Sequence, residues 1–429
     1  MHKNLLNNTF FKVITYNSIV VFGRLITSFI VSKVSAIYLG PSGYAIVGNL
    51  KSILQGILGV TSTGFQSGVI RYVTENKTNK EELKIVVSSI TFLSILISGI
   101  IGILIFFFSE QLSIYILKDV SFTDVFKWFA LLLPFVSLSF LTVYIVNGLQ
   151  RYKLYTVVVS LSNFLNALIS FILIYYFDLK GALFASIIVP AFSFLFGFAF
   201  KEIRNIYSGV IKCYKQLSIA FVKSISAYLF MAVYSSLLIS FSYLFIRNEL
   251  IDGLSAYSAG LWEAMNKISS FYMIFFSSLF TLYLLPQLTL NKTVTGYYGI
   301  MKNYFKYLIP FMIAVFLGLY IFRIIVIKVF LTDEFKSIEQ YFILQFIGDF
   351  IKIVAFSLAY QFHAKKMVSS YFISDAILYG TFYFFSTYFI EQFNLQGVFY
   401  AYIVSTLLYL SSVSYFVYFK RSNYLNSEI

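Results

Sequence analysis

The chain has 429 residues, of which 59% are hydrophobic, 21% aromatic and only 12% charged, with a formal net charge of +14. Soluble domains carry about twice that share of charge, so these side chains cannot clothe a water-facing surface and lipid must be the solvent. No nucleic-acid partner is expected, because the positive charge sits in short connectors between apolar runs.

A membrane span needs about 20 mostly apolar residues, and in hydrocarbon it must be a helix so that its backbone groups are satisfied internally. In chain order the runs predict helices over roughly 11–38, 43–66, 85–108, 125–148, 154–176, 181–200, 217–245, 254–286, 303–330, 338–361, 367–390 and 396–419. Nothing remains for a soluble domain. The first run is far longer than a signal-peptide core and shows no small-residue cleavage pattern before Gly40, Pro41, Ser42 and Gly43, so it is expected to stay as a helix. The expected fold class is an all-α polytopic membrane protein with about 12 transmembrane helices.

Sites for conventional chemistry are missing from the pattern. The single cysteine, Cys213, lies in a basic connector and can form neither an internal disulfide nor a cysteine metal site. His2 and His363 give no metal cluster or catalytic triad, and no GxxxxGKS/T phosphate loop is present. No cofactor or metal is expected, and transport would draw on a proton, another cation or the substrate's own gradient.

Connector charge predicts the orientation. Twenty Lys and Arg residues, from Lys3 and Lys12 to Lys420 and Arg421, fall on one side, against six on the other: Lys118, Lys127, Lys180, Arg247, Lys328 and Lys336. Positive residues in short loops mark the cytoplasm, so both termini are expected there. The segment Asp178–Val189, DLKGALFASIIV, reappears as Asn394–Ser405, NLQGVFYAYIVS, with Gly181 and Gly397 in corresponding places. That repeat predicts two six-helix bundles, residues 1–208 and 209–429, related by a pseudo-twofold axis along the membrane normal. A glycine turn entering a helix is also common, which is the plainer reading of the match.

Nine charged residues fall within the predicted spans: Arg24, Lys33, Lys51, Lys267, Arg323 and Lys352, against Glu263, Asp349 and Asp375. An ion at a helix centre costs about 2.5–3.5 kcal/mol on the insertion scale, so each needs a partner, water or a route to the interface. The second half holds both signs, with Glu263 and Lys267 spaced i,i+4 and Asp349 and Lys352 spaced i,i+3 on shared helix faces. Local neutralisation is one reading of these pairs; ion coupling, most plausibly at Asp349, is the other. Asp375 has no obvious partner on its own helix.

The first half holds three cations and no acid. At 100° per residue Arg24 lies on a polar stripe with Asn17, Thr27, Ser28 and Ser35, whereas Lys33 falls on the opposite face among Ile26, Phe29, Ile30 and Ile37. Arg24 is the better cavity residue and Lys33 the better snorkelling anchor, with Lys51, near Asn49, Ser52 and Gln55, suited to either place. An uncompensated positive lining suits an anionic substrate.

Several strings resemble the Wzx-type O-antigen and lipid-linked oligosaccharide flippases, near the enterobacterial common antigen translocase branch of the multidrug/oligosaccharidyl-lipid/polysaccharide exporter superfamily. They are SKVSAIYLGPSGYAIVGNLKSIL at Ser32–Leu54, GVIRYVTE at Gly68–Glu75, LWEAMNKISSFYM at Leu261–Met273, YLLPQLT at Tyr283–Thr289 and LQFIGDFIKIVAFSLAY at Leu344–Tyr360. The resemblance implies two six-helix bundles around a central cavity and alternating access across the bacterial cytoplasmic membrane. The implied cargo is a short glycan on undecaprenyl pyrophosphate, such as an O-antigen repeat unit for lipopolysaccharide biosynthesis. Membrane lipid, a glycan polymerase and a chain-length regulator are the further partners it implies. Cations matching Arg24, Lys33 and Lys51, and charged residues matching Asp349, Lys352 and Asp375, belong to that pattern; Glu263 departs from it.

Two other functions compete. A glycan polymerase or ligase acting on the same lipid would need a larger outer loop than the acidic connector at about 109–124. A cation drug antiporter of the same superfamily would not be served by three uncompensated cations.

Overall fold

The computed structural model describes residues 2–212, 219–291, 293–365 and 367–419. Cys213, Lys215, Lys292, Lys366, Lys420 and Arg421 lie outside the described residues, as does part of the connector expected between the halves.

Helix follows helix throughout. The order is α1 (His2–Thr61), α2 (Gln66–Glu75), α3 (Lys80–Phe107), α4 (Ser109–Leu112), α5 (Thr123–Gly148), α6 (Tyr152–Gly197), α7 (Lys201–Lys212) and α8 (Ile219–Gly253). It continues with α9 (Ala256–Leu279), α10 (Leu285–Leu290), α11 (Val294–Ile321), α12 (Arg323–Phe330), α13 (Phe342–Lys365), α14 (Val368–Phe393) and α15 (Leu395–Phe419). Eight helices are long and apolar enough to cross a membrane. Two of these, 47 and 44 residues long, are pairs of spans joined at one broken residue, Gly40 (φ 59°) and Asp178 (φ 46°). Adding α9 and α14, whose charged and tyrosine-rich sequences lower their hydropathy, gives twelve spans among the described residues.

The ninth span departs from the sequence reading at both ends. Expected over 303–330, it starts at Val294 and stops at Ile321, because Phe322 (φ −92°, ψ 12°) leaves the helix and α12 starts afresh. Hydropathy runs unbroken through this point, so the pattern could not reveal the stop. Arg323 consequently opens α12 rather than sitting in mid-span.

The chain packs as two compact units, one of residues 1–39 and 49–237, the other of residues 40–48 and 238–429. The first unit's core joins Phe65, Val69, Val73, Val86, Ile90, Leu141 and Ile145 from the 3-10 turn before α2, α2, α3 and α5. Gly59 and Gly64 of this unit admit Ser236, Leu229 and Val233 from the first part of α8. The amphipathic α7 lies on the same unit through Ile203 and Tyr207, whose hydroxyl shares a hydrogen bond of 2.8 Å with Thr142 Oγ1. Burial pushes that phenol well above the usual tyrosine range.

Residues 40–48 explain why glycine recurs in the GPSGYAIVG stretch. Packed in the second unit, the Pro41 carbonyl occupies the space a side chain on Gly260 would need, and Tyr44 stacks edge-on with Phe335 at 5.6 Å. The second unit's own core gathers Ala355, Phe362, Leu378, Tyr379, Tyr409 and Val413 from α13, α14 and α15.

The two units carry the same local devices. Asp178 and Asn394 occupy the repeated DLKG and NLQG positions and share a rare backbone conformation, φ 46°, ψ −126° and φ 51°, ψ −138°. Three residues on, a side chain on Gly181 would enter the Leu173 carbonyl, and one on Gly397 the Phe389 carbonyl. Both turns therefore double back so tightly that only glycine fits. Likewise α3 and α11 are each 28 residues long, are N-capped by Asn79 and Thr293, and end at a phenylalanine in the same bridge conformation.

Gly397→Ala and Gly181→Ala are expected to destabilise the protein by about 1–3 kcal/mol through overpacking. Gly380→Ala, where a side chain meets nothing within 4 Å, should melt with the wild type. Thermal unfolding of the detergent-solubilised protein checks this, and a wild-type midpoint for Gly397→Ala would refute the close approach.

Candidate functional site

The charged residues of the spans separate into two settings, one per unit. In the first unit, α1 before its break shows two exposed faces. Ile19, Phe22, Ile26, Ile30 and Ile37 form an apolar one. Arg24 and Asn17 are exposed on the opposite side of the helix, while Thr27 is buried and donates to the Asn163 carbonyl at 3.1 Å. Among the described residues Arg24 makes no ion pair. Lys33 is half-buried on the apolar side, in register with Ile26, Ile30 and Ile37.

After the break α1 is enclosed almost all round. From Gly43 to Leu50 every residue is buried, and Asn49 donates to the Ile116 carbonyl at 2.7 Å. Lys51 and Gln55 are exposed, one turn apart, and no large apolar side chain is exposed between Pro41 and Thr61. A stripe with only polar residues at its surface is built to meet water or a polar ligand rather than acyl chains.

In the second unit the charges are enclosed. Asp349 is fully buried and accepts four hydrogen bonds: from Ser269 at 2.7 Å, Gln345 Nε2 at 3.0 Å, Tyr402 at 2.6 Å, and the Tyr272 hydroxyl. Gln345 lies one turn before it on α13, Ser269 and Tyr272 lie on α9, and Tyr402 lies on α15. Gly348 leaves the space that the Tyr402 ring fills. The Lys352 ammonium stands 5.3 Å over that ring and 5.6 Å over Phe356. Lys352 thus reaches Asp349 through the tyrosine between them rather than by a direct bridge.

Glu263 finds its cation on another helix. Arg247 Nη2 meets Glu263 Oε2 at 2.5 Å, and the guanidinium lies 5.5 Å over the Trp262 ring. Arg247, assigned above to an outer connector, is instead 2% exposed within α8. The polar RNELIDG string reads as a loop, yet the helix continues to Gly253. A side chain on Gly48 would come within 2.8 Å of the Glu263 carboxyl and 2.9 Å of Arg247 Nε. Lys267, one turn after Glu263, stands 5.5 Å over Phe271. Asp375 is buried on α14, and its neighbour Ser374 accepts from Ser412 at 3.2 Å. Arg323 pairs with Glu339 at 2.8 Å.

Sequence periodicity missed Ser269, Tyr272, Gln345, Tyr402 and Arg247. The available signal was neutral polar residues at helical spacing inside apolar spans: Ser269 and Tyr272 at i,i+3, Gln345 and Asp349 at i,i+4. Among the described residues no cluster of His, Cys, Asp and Glu could hold a metal ion.

The fold is similar to that of solved membrane transporters of the MOP superfamily. An inward-facing multidrug resistance MATE family transporter superposes with a TM-score of 0.74 at 14% identity, covering 93% of this chain and 95% of that one. The lipid II flippase MurJ in its inward closed conformation gives 0.71 at 15% identity, covering 95% and 87%. In sequence, the proteins named lipid III flippase from Escherichia coli (strain K12) and Shigella flexneri are each 24% identical over 398 residues, 89% of this chain and 92% of theirs. The resemblance read from the motifs therefore extends over nearly the whole length, and these relatives are transporters rather than enzymes. No family model matches the chain.

Glu263→Gln should destabilise the protein by about 3–5 kcal/mol, because it removes the negative charge that offsets a buried guanidinium. The double substitution Arg247→Met with Glu263→Leu should recover much of the loss. Melting curves decide, and a wild-type midpoint for Glu263→Gln would remove the structural role.

Proposed function

We propose that the chain is a flippase that carries an oligosaccharide linked to undecaprenyl pyrophosphate from the inner to the outer leaflet of the bacterial cytoplasmic membrane by alternating access. An O-antigen repeat unit or a related surface glycan is the cargo, and both termini face the cytoplasm. The observation that carries this reading is the first unit's Arg24 and Lys51, cations exposed on polar positions in spans that hold no acid. The full-length likeness to lipid III flippases supports it.

The pyrophosphate is held by Arg24 and Lys51, with Lys33 at the apolar face steadying the lipid-linked part. A guanidinium suits this task because its fork binds two phosphate oxygens at once, where an ammonium acts as a point charge. The polyprenyl tail stays in lipid and no bond is broken. A cationic drug would meet like charge here, which argues against the antiporter reading. A glycan polymerase and a chain-length regulator would take up the cargo at the outer face.

Asp349 is the coupling residue of this proposal, with Lys352, Asp375, Glu263 and Lys267 completing the charged set of the second unit. As a carboxylate Asp349 offers lone pairs to all four donors; a proton on either oxygen turns an acceptor site into a donor, so the hydroxyl facing it must rotate to accept or lose its bond. Such an event loosens the junction of α9, α13 and α15, and a proton or another cation then biases the conformation.

In proteoliposomes loaded with polyprenyl-pyrophosphate glycan, Arg24→Ala should lower the flipping rate at least tenfold, while Arg24→Lys keeps a measurable part. Full activity of Arg24→Ala removes it from binding. Asp349→Asn should retain substrate binding yet lose the response to an imposed pH or sodium gradient; an unchanged response would rule out coupling at this residue.

A further inference from the structure

A cavity of about 490 Å³ opens in the second unit between the end of α11 and the 3-10 stretch Asp333–Tyr341 before α13, lined by Tyr320, Arg323, Lys336, Ser337, Glu339, Gln340 and Ile343. Its chemistry is unlike that of its surroundings. Arg323 is fixed on three sides: by Glu339 at 2.8 Å, by the Tyr320 carbonyl, to which Nη1 donates at 2.9 Å, and by the Tyr320 ring, 4.4 Å from the guanidinium. A guanidinium has five N–H donors, so this arrangement leaves some for a ligand. Glu339 offsets one positive charge and the exposed Lys336 brings a second, so the lining is positive by one charge.

The rim is apolar. Ile343 of the lining is 49% exposed, and Ile321, Phe322, Ile324 and Ile325, which flank Arg323 in the chain, are 45–67% exposed. A polar, positively charged cup with an apolar lip matches the level of a bilayer where headgroups meet acyl chains. The contrast with the first unit sharpens this. Between α3 and α5, the counterparts of α11 and α13, a cavity of similar volume is lined by Gly102, Ile103, Trp128, Leu131 and Pro134, with Lys127 as its one charged residue. That place offers a single ammonium in a largely apolar wall, whereas the second unit adds a fixed guanidinium and the side chains of Ser337 and Gln340.

We propose that the second-unit cavity binds the headgroup of an anionic glycerophospholipid of the phosphatidylglycerol type. Its phosphodiester lies against Arg323 and Lys336, its glycerol hydroxyls against Gln340 and Ser337, and its acyl chains over Phe322 and Ile325. A single negative charge matches the lining, whereas a zwitterionic headgroup leaves one positive charge uncompensated. Connector charge puts the site on the side expected to be outer. Lipid there clamps the break at Phe322.

The experiment is native mass spectrometry of the purified full-length chain with added phosphatidylglycerol, phosphatidylethanolamine or soluble glycerol 1-phosphate. The wild type should retain phosphatidylglycerol in preference to phosphatidylethanolamine, and excess glycerol phosphate should not displace it. Lys336→Ala, at an exposed position, should weaken phosphatidylglycerol retention about fivefold without altering that of phosphatidylethanolamine, and Arg323→Gln should do the same or more. Equal retention of the two lipids by the wild type, an undiminished preference in both variants, or displacement by glycerol phosphate would each overturn the proposal.

Discussion

An ion in hydrocarbon has three ways to survive: it pairs with an opposite charge, it is wrapped in hydrogen-bond donors or acceptors, or it stays in contact with water. The second unit of this protein uses the first two. Arg247 and Glu263 neutralise each other beneath Trp262, and Asp349 is wrapped by four neutral donors from three helices. In the first unit α1 itself holds no acid, and its cations Arg24 and Lys51 are both exposed. On the proposed function, that exposure ties the charge pattern to a hydrated route through lipid and to an anionic cargo.

Glycine makes the enclosed arrangement possible. Gly48 leaves room for the ion pair, Gly348 leaves room for the ring whose hydroxyl reaches Asp349, and Gly260 admits the Pro41 backbone. Each lies inside or beside one of the motif strings that carry the family resemblance. Those strings therefore mark places where a backbone must come close to a buried polar group, rather than an assembled catalytic site. LWEAMNKISSFYM supplies Glu263, Ser269 and Tyr272, while LQFIGDFIKIVAFSLAY supplies Gln345, Asp349 and Lys352. One network is thus written in two distant segments.

Much of the fold was legible because spans are dictated by solvent. Any long apolar run must become a helix in lipid, and the repeated DLKG and NLQG turns proved to share backbone dihedrals as well as letters. The stop at Phe322 was not legible, since FRIIVIKVF is apolar on both sides of a break that packing imposes. Arg247 was misplaced for a related reason: a basic residue in a polar string reads as loop, although its carboxylate partner on α9 draws it inside. Periodicity reports one helix's faces and is blind to the neighbour. It could set Arg24 opposite the apolar face of α1, but it could not show that Glu263 also meets Arg247 across on α8.

The most direct test is the ionic-strength dependence of polyprenyl-pyrophosphate binding to the purified protein, compared between the wild type and a double variant, Arg24→Gln with Lys51→Gln. If exposed cations hold the phosphorylated end, wild-type affinity must fall steeply as salt rises, and the double variant must bind weakly with little salt dependence. Equal affinity and an equal salt slope in the two proteins would contradict the account.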